Sequence, residues 1–565
     1  MRSIGLARGR GGGMIRSVSA IAVLVAAAVV GAAAFPTDWA HSDQITIQEN
    51  SGSDLTDYQI LVELNASNFD FTKAQSDGAD IRFAELNDDL LSYWVEHWDS
   101  TGRSAKVWVE VPSIPASDVA TIRMWYGNAG AASESDFIET MLLPMEVLWH
   151  TTTGYADNYA GIATVDVDSN NNIYGGDCAR YDGTSYLIKF DPNGTEMKSV
   201  AMYSCIQSIK IDESDNIFVS NGPQGYSLRV YDPDLNEQCH YDSDDYRENL
   251  WPMKLVDGYI YASSWRSSSS PFNAGISKFD AYCSVIETTP YHSSYSLYAG
   301  GVYHHSATDK TYAGFCREDD DNHLRLARFT GAGSPDWDKL VLSDSSAGIQ
   351  DIIHENNYLY ISGTGDTDEM GTNTYIFLAK YDLDGNQIFM KRYDDTADYI
   401  TAGDALMKIG DDLLLIPANY YDGSDYFPAF YAVDFDGNLI WRGHIGGTSD
   451  PDWKIRGTKL LDDGMILLGG KDGNYGDLMK VSYYKCASPE PSVAVGTGPS
   501  TTLRGDASDD GVVNAIDAMF DAQYTAGNRD ASTLDMANAD ADLNGDVDVI
   551  DAMFIAQYVA GSRWW

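Results

Sequence analysis

Tyr358-Leu359-Tyr360-Ile361, followed after a loop by Tyr381-Asp382-Leu383-Asp384-Gly385-Asn386-Gln387-Ile388-Phe389-Met390, is the stretch on which the fold turns. An aromatic and β-branched run leads to an aromatic-Asp pair, a tight turn and another apolar run. Asp, Asn and Gly suit the turn, and the flanking side chains suit a pleated surface. The unit recurs as Phe190-Asp191-Pro192-Asn193-Gly194, Tyr231-Asp232-Pro233-Asp234, Phe279-Asp280 and Phe435-Asp436-Gly437-Asn438, with Phe329-Thr330-Gly331 as a degenerate copy. Asp191 and Asp232 are 41 positions apart, and Tyr381 and Phe435 are 54 apart. A period of about 40 to 55 residues is that of four-stranded propeller blades with variable loops.

Seven copies fill residues 145–486, although a ring of six or eight also fits the spacing. The last copy, from Gly457 to Tyr484, holds only three strand-like runs. A spare run, Met145-Glu146-Val147-Leu148-Trp149-His150, precedes the first copy and is similar to Gln387-Ile388-Phe389-Met390 and Leu439-Ile440-Trp441-Arg442. The reading is a β-propeller whose N-terminal strand completes the final blade, because closure removes the free edges that invite aggregation. Upstream, residues 36–140 alternate apolar and polar positions, as in Ala105-Lys106-Val107-Trp108-Val109-Glu110-Val111, and predict an antiparallel β-sandwich. The fold class is therefore mostly β.

The chain opens with Arg2, Arg8, Arg10 and Arg16, an Ala/Val-rich run from Ser19 to Ala34, and small residues at Ala32 and Ala34 before Phe35-Pro36. That order of basic, apolar and small residues reads as a signal peptide over residues 1–34, with a retained anchor as the alternative. No other segment is long and apolar enough to span a bilayer, so secretion with no membrane attachment after cleavage is expected. A formal charge of −47 repels phosphate backbones and argues against nucleic acid as a partner. The six cysteines, Cys178, Cys205, Cys239, Cys283, Cys316 and Cys486, contain no C-x-x-C pair and read as structural bridges or buried thiols.

Residues 487–503 are rich in Pro, Ser, Thr and Gly and read as a linker. Beyond it, one pattern occurs twice, 34 residues apart: Asp506-Ala507-Ser508-Asp509-Asp510-Gly511-Val512-Val513-Asn514-Ala515-Ile516-Asp517 and Asp540-Ala541-Asp542-Leu543-Asn544-Gly545-Asp546-Val547-Asp548-Val549-Ile550-Asp551. Calcium takes six to eight oxygens, and a 12-residue loop supplies them from positions 1, 3, 5, 7, 9 and 12 around a Gly at position 6. The expected ligands are Asp506, Ser508, Asp510, the Val512 carbonyl, Asn514 and Asp517, then Asp540, Asp542, Asn544, the Asp546 carbonyl, Asp548 and Asp551. The cofactor expectation is two Ca²⁺ ions, one per loop.

These loops, each followed by a helix and each closing on Asp, resemble the dockerin family over residues 504–563. The resemblance implies an α-helical module that binds a cohesin domain of a scaffold or cell-surface protein. It places the recognition residues at Ala515, Ile516, Ala522 and Gln523, and in the second copy at Val549, Ile550, Ala556 and Gln557. Many bacterial dockerins carry Ser-Thr and Lys-Arg there, and this chain offers an apolar face instead, so their cohesin specificity does not carry over to it. Residues 36–140 also resemble an uncharacterised lectin-like sandwich family of secreted proteins. That likeness rests on Asp77-Gly78-Ala79-Asp80-Ile81-Arg82-Phe83, Tyr93-Trp94-Val95-Glu96 and Trp125-Tyr126-Gly127-Asn128, and it implies no settled activity.

The loops between the second and third strands of the repeats are long and carry Tyr181, Trp265, Phe272, Asp320, Tyr420 and Tyr421. Aromatics beside carboxylates suit saccharides, whose rings stack while hydroxyls take hydrogen bonds. Polysaccharide or glycan recognition is the expected role of that face. The alternatives are a polysaccharide-degrading hydrolase or lyase and a structural surface-layer protein. No G-x-S-x-G or H-E-x-x-H occurs, and 84 acidic residues make paired carboxylates uninformative.

Overall fold

The computed structural model describes residues 39–496, apart from single positions and short stretches such as 179–183, 222–226, 243–247, 267–272, 319–322 and 446–453. At the carboxyl end it describes Ala518, Met519, Ala522, Gln523, Val547, Ala552, Met553, Ile555 and Ala556. The chain is mostly β, built from many small sheets, an arrangement consistent with a sandwich and a propeller.

At the N-terminal end, two sheets share one core. The three-stranded sheet orders Leu55–Asn65, Ser104–Ile114 and Tyr93–Asp99. The five-stranded sheet orders Ser492–Gly496, His41–Gln48, Val119–Tyr126, Arg82–Glu85 and Leu90–Leu91. Alternation buries Ile45 and Ile47 from one strand and Ile60, Val62, Val107 and Val109 from the facing sheet. The edge strand Ser492–Gly496 corrects the linker reading of 487–503. Ala494 pairs with Thr46, and Val493 and Val495 pack against the core. A four-residue Ser-Val-Ala-Val alternation, flanked by Pro491 and Gly496, is too short to stand out from Pro/Ser/Thr-rich composition.

Among the described residues, seven further antiparallel sheets follow. Their first strands are Ile162–Val167, Ile206–Ile211, Glu248–Val256, Ser296–His305, Gly348–Glu355, Tyr399–Ala402 with Met407–Ile409, and Lys454–Leu460. Each first strand packs against the preceding sheet, and that of the first sheet packs against the seventh, so contacts run round in a ring. The core is divided accordingly. Ile162, Phe190, Leu467 and Leu478 fill the seam between seventh and first sheets, and Tyr174, Ile209 and Val219 fill the next. The seventh sheet takes its outer strand, Glu146–Ala156, from before the first sheet, paired with Tyr475–Ser482.

The tight turns have a common chemistry. Asp382 Oδ1 accepts from the backbone N–H of Asp384 (3.0 Å) and Asn386 (2.8 Å), while Oδ2 accepts from Asn386 Nδ2 (2.7 Å). The carboxylate thus replaces the ladder partners that the turning backbone loses. Gly385 holds φ +82° at the corner, where a Cβ would lie 3.0 Å from the Trp337 ring of the preceding sheet. The copy around Phe435 corrects the sequence alignment by two positions. Its capping carboxylate is Asp434, which accepts from Asp436 N (3.0 Å) and Asn438 N (2.7 Å), so Val433-Asp434 stands where the aromatic-Asp pair stands elsewhere.

Disulfides join Cys178 to Cys205 and Cys239 to Cys283, tying the first sheet to the second and the second to the third. Cys316 and Cys486 stay outside these bridges, and Cys486 is exposed, which departs from the expectation of buried thiols.

Candidate functional sites

The ring has two unlike faces. Short turns join first to second strands and third to fourth strands on one face. The sandwich sits on that face: Asp411, in the turn before Leu413–Tyr421, accepts from His97 Nδ1 (2.7 Å), and its backbone N–H donates to the Glu96 carbonyl (2.7 Å). Trp94, Trp108 and Phe137 share an apolar cluster with Met407, Leu415, Ile466 and Tyr483 from the sixth and seventh sheets. Trp94 and Trp98 therefore belong to packing, Trp98 lying against Phe69 and Phe71.

A cleft of about 660 Å³ opens along this junction, lined by Glu63, Glu96, Trp108, Asp463 and Tyr484 among others. Trp108 Nε1 donates to Glu96 Oε2 (2.8 Å), and the Trp108 and Tyr484 rings lie 4.5 Å apart. Both rings are nearly buried, 6% and 7% exposed, so they cement the junction instead of offering a stacking face.

The opposite face carries the ends of the second strands and the starts of the first. Here Asn221 and Asn249 are fully buried, and neither amide has a hydrogen-bond partner among the described residues. Asp177, on the same side, accepts from Gly161 N (3.0 Å). Of the residues expected to form a ligand face, Tyr420 is half-buried in Leu413–Tyr421. Trp265 and Tyr421 have strand backbone in Tyr259–Arg266 and Leu413–Tyr421, while their side chains lie outside the described residues. Tyr181, Phe272 and Asp320 lie outside them altogether. The two asparagines were not singled out from sequence, because burial without a partner leaves no mark on residue pattern.

The histidines have structural company. His304 stacks on Tyr261 at 4.1 Å, and its Nδ1 lies 3.0 Å from Thr311 Oγ1. Burial, with Lys278 adding to it, keeps its pKa below the ordinary histidine range. His305 Nδ1 lies 2.7 Å from Thr308 Oγ1.

At the carboxyl end, Ala518, Met519, Ala522 and Gln523 are helical, as are Ala552, Met553, Ile555 and Ala556. Ile555 is fully buried and Ala552 is nearly so. Met519 and Met553 hold equal places in the two copies and are 47% and 48% exposed. Ala522 and Ala556, one turn on, are also exposed, and Gln523 is half-buried. The helices thus present matching apolar residues at i and i+3 on their outer sides. The two exposed methionines were not singled out from sequence, although their spacing from Ala522 and Ala556 carried the signal. The expected calcium ligands and Ala515, Ile516, Val549, Ile550 and Gln557 lie outside the described residues.

Comparison with known proteins fits this division. A domain of unknown function (DUF2341) matches residues 77–146. No curated protein matches the chain. Among solved structures, a chain of a mitotic checkpoint complex is 13% identical, covering 60% of this chain and 95% of its own at a TM-score of 0.40. Virginiamycin B lyase from Staphylococcus aureus is 8% identical, with 59% and 98% covered and a TM-score of 0.37. BBS1N in complex with ARL6DN is 9% identical, with 61% and 98% covered and a TM-score of 0.40. Likeness at that level carries no argument. The type I dockerin domain matches residues 504–560, so the carboxyl end of this chain is similar to type I dockerin domains.

Proposed function

We propose that the protein is a secreted component of an extracellular or cell-surface assembly, docked through its carboxyl-terminal module onto a cohesin domain in a calcium-dependent way. The observation that carries this reading is the dockerin match over residues 504–560, within which both 12-residue loops have an oxygen donor at every ligand position. Asp506, Ser508, Asp510, Asn514 and Asp517 would hold one Ca²⁺ with the Val512 carbonyl. Asp540, Asp542, Asn544, Asp548 and Asp551 would hold the other with the Asp546 carbonyl. Clustered carboxylates repel without a cation, and a module of this size has a marginal core, so metal binding and folding are one process.

The docking face comprises Ile516, Ala522 and their counterparts Ile550 and Ala556, with Met519 and Met553 beside them. Because the copies match, the module can dock in two orientations related by its internal two-fold. The remaining domains form a sandwich seated on a closed seven-bladed propeller, with the long-loop face free for cargo. Glycan recognition suits that face, and the buried unpartnered amides of Asn221 and Asn249 favour a ligand rich in hydrogen-bonding groups. Pulldown of the full chain on an immobilised cohesin, with calcium and with EGTA, tests docking. A glycan array read alongside reducing-sugar release separates recognition from hydrolysis.

A further inference from the structure

The seven first strands place one residue each at the same level of the ring. Register identifies them: Asp166 pairs with Tyr174, Lys210 with Phe218, Lys254 with Tyr261, Lys408 with Leu414 and Lys459 with Leu467, always the second residue of the hydrophobic second strand or its counterpart. Tyr303 and Ile353 hold the other two places. Four lysines at seven equivalent positions stand out in a chain with 37 basic and 84 acidic residues.

Three of the four are neutralised. Lys254 lies 2.8 Å from Asp351, reaching from the third sheet to the fifth. Lys459 lies 2.6 Å from Asp166, and Lys408 lies 3.1 Å from Glu355 and 3.5 Å from Asp411. Asp166 and Asp351 are further committed, since they accept backbone N–H groups from Ile211 and Leu406, both at 3.0 Å. Lys210 forms no ion pair among the described residues. Its register puts it level with Lys254 and Lys459, and the Lys254–Asp351 pair at that level reaches across the ring. Burial pushes the Lys210 pKa below that of an ordinary lysine. Lys254 and Lys459 keep 27% and 38% of their side-chain surface exposed, so solvent reaches this level.

We propose that Lys210 binds a monoanionic carboxylate at the level of the ring that it shares with Lys254 and Lys459. Lys210 is the one lysine of the four without a carboxylate at ion-pair distance among the described residues, and its single charge matches a carboxylate and leaves a phosphate or sulfate dianion under-neutralised. The ammonium offers three donors to two carboxylate oxygens, a charge-assisted geometry that the neighbouring aspartates cannot supply.

Thermal melting of the full chain in sodium acetate, against sodium chloride at equal ionic strength and against neutral acetamide, tests this. Acetate should raise the melting temperature in a saturable way beyond chloride, and acetamide should not. Lys210→Met should weaken the acetate effect at least tenfold while melting higher than the parent without anion, because it removes an unpaired, half-buried charge. Lys391→Met, on an outer strand, should respond like the parent. Glucuronate in place of acetate distinguishes a sugar acid, which would bind as tightly or more tightly, from a small free acid, which alone would bind if the site excludes the sugar ring. Saturation-transfer NMR of acetate on the parent chain reads binding directly if the variant fails to fold. No transfer, no acetate-specific shift, or the same shift in Lys210→Met overturns the proposal.

Discussion

Tyr360 and Lys380, on neighbouring strands of the fifth sheet, both donate to one acceptor, the Phe435 carbonyl in the tight turn of the sixth, at 3.3 and 3.1 Å. The device repeats. Tyr174 and Lys189 converge on the Pro233 carbonyl, and Tyr312 and Arg328 converge on that of Leu383. Where the turn of the next sheet is degenerate, at Phe329-Thr330-Gly331, Lys278 instead lies over the Tyr259 and Tyr261 rings, 4.2 and 5.1 Å from their centroids. Each clamp fastens one sheet to the next at the ring's rim.

Tyr360→Phe removes one donor from a shared carbonyl and should cost about 1 kcal/mol, the net worth of an ordinary hydrogen bond. Lys380→Met removes a charged donor together with its contact over Tyr360 and should cost about twice that. Urea unfolding followed by tryptophan fluorescence checks the order. Equal stability in both variants would remove the clamp from the account.

Reduction of the two disulfides should loosen the first three sheets in particular. Their closed loops have sequence separations of 27 and 44, and each bridge is worth about 2–4 kcal/mol. Hydrogen exchange with and without dithiothreitol should show protection falling over 162–291 and holding over 348–444.

The strand Ser492–Gly496 makes the sandwich depend on chain that follows the ring. Ala494→Pro puts a proline into the strand opposite Thr46, and Val493→Asp puts a charge against the core. Each should cost about 1–3 kcal/mol and lower sandwich melting without changing the ring. An unchanged melting profile in both would show that the strand adds nothing.

Glu49 gives the sandwich an acid limb. Burial pushes its carboxyl up, but hydrogen bonds from Ser51, Ser117 and Gly52 outweigh it and hold the pKa at about 2. A folded pKa below the unfolded value of 4.5 means the stabilisation is complete above pH 4.5 and is lost as pH falls toward 2. Glu49→Gln should be less stable at pH 7 and should show a flatter stability profile between those limits.

The sequence showed what is local and periodic. Asp382 and Asn386 are four residues apart, and a carboxylate with a following amide at that spacing announces its turn. The alternation in Ala105–Val111 likewise announces a half-buried strand. The clamps were hidden because Tyr360, Lys380 and Phe435 come together only when the sheets pack, and tyrosine is common throughout the chain. The phase error at Phe435 arose because Val433 replaces the aromatic residue while a second aromatic-Asp pair sits two positions later. Ser492–Gly496 was hidden by its brevity. The first-strand lysines were illegible because they lie on strands about 45 residues apart and acquire meaning only in register.

Calcium uptake by the full chain, read by equilibrium dialysis and compared with the Asp506→Ala/Asp540→Ala double variant, tests the central claim most directly. The account predicts two ions per chain, lost in the variant together with cohesin capture. Equal uptake in the two proteins, or undiminished capture in EGTA, would contradict it.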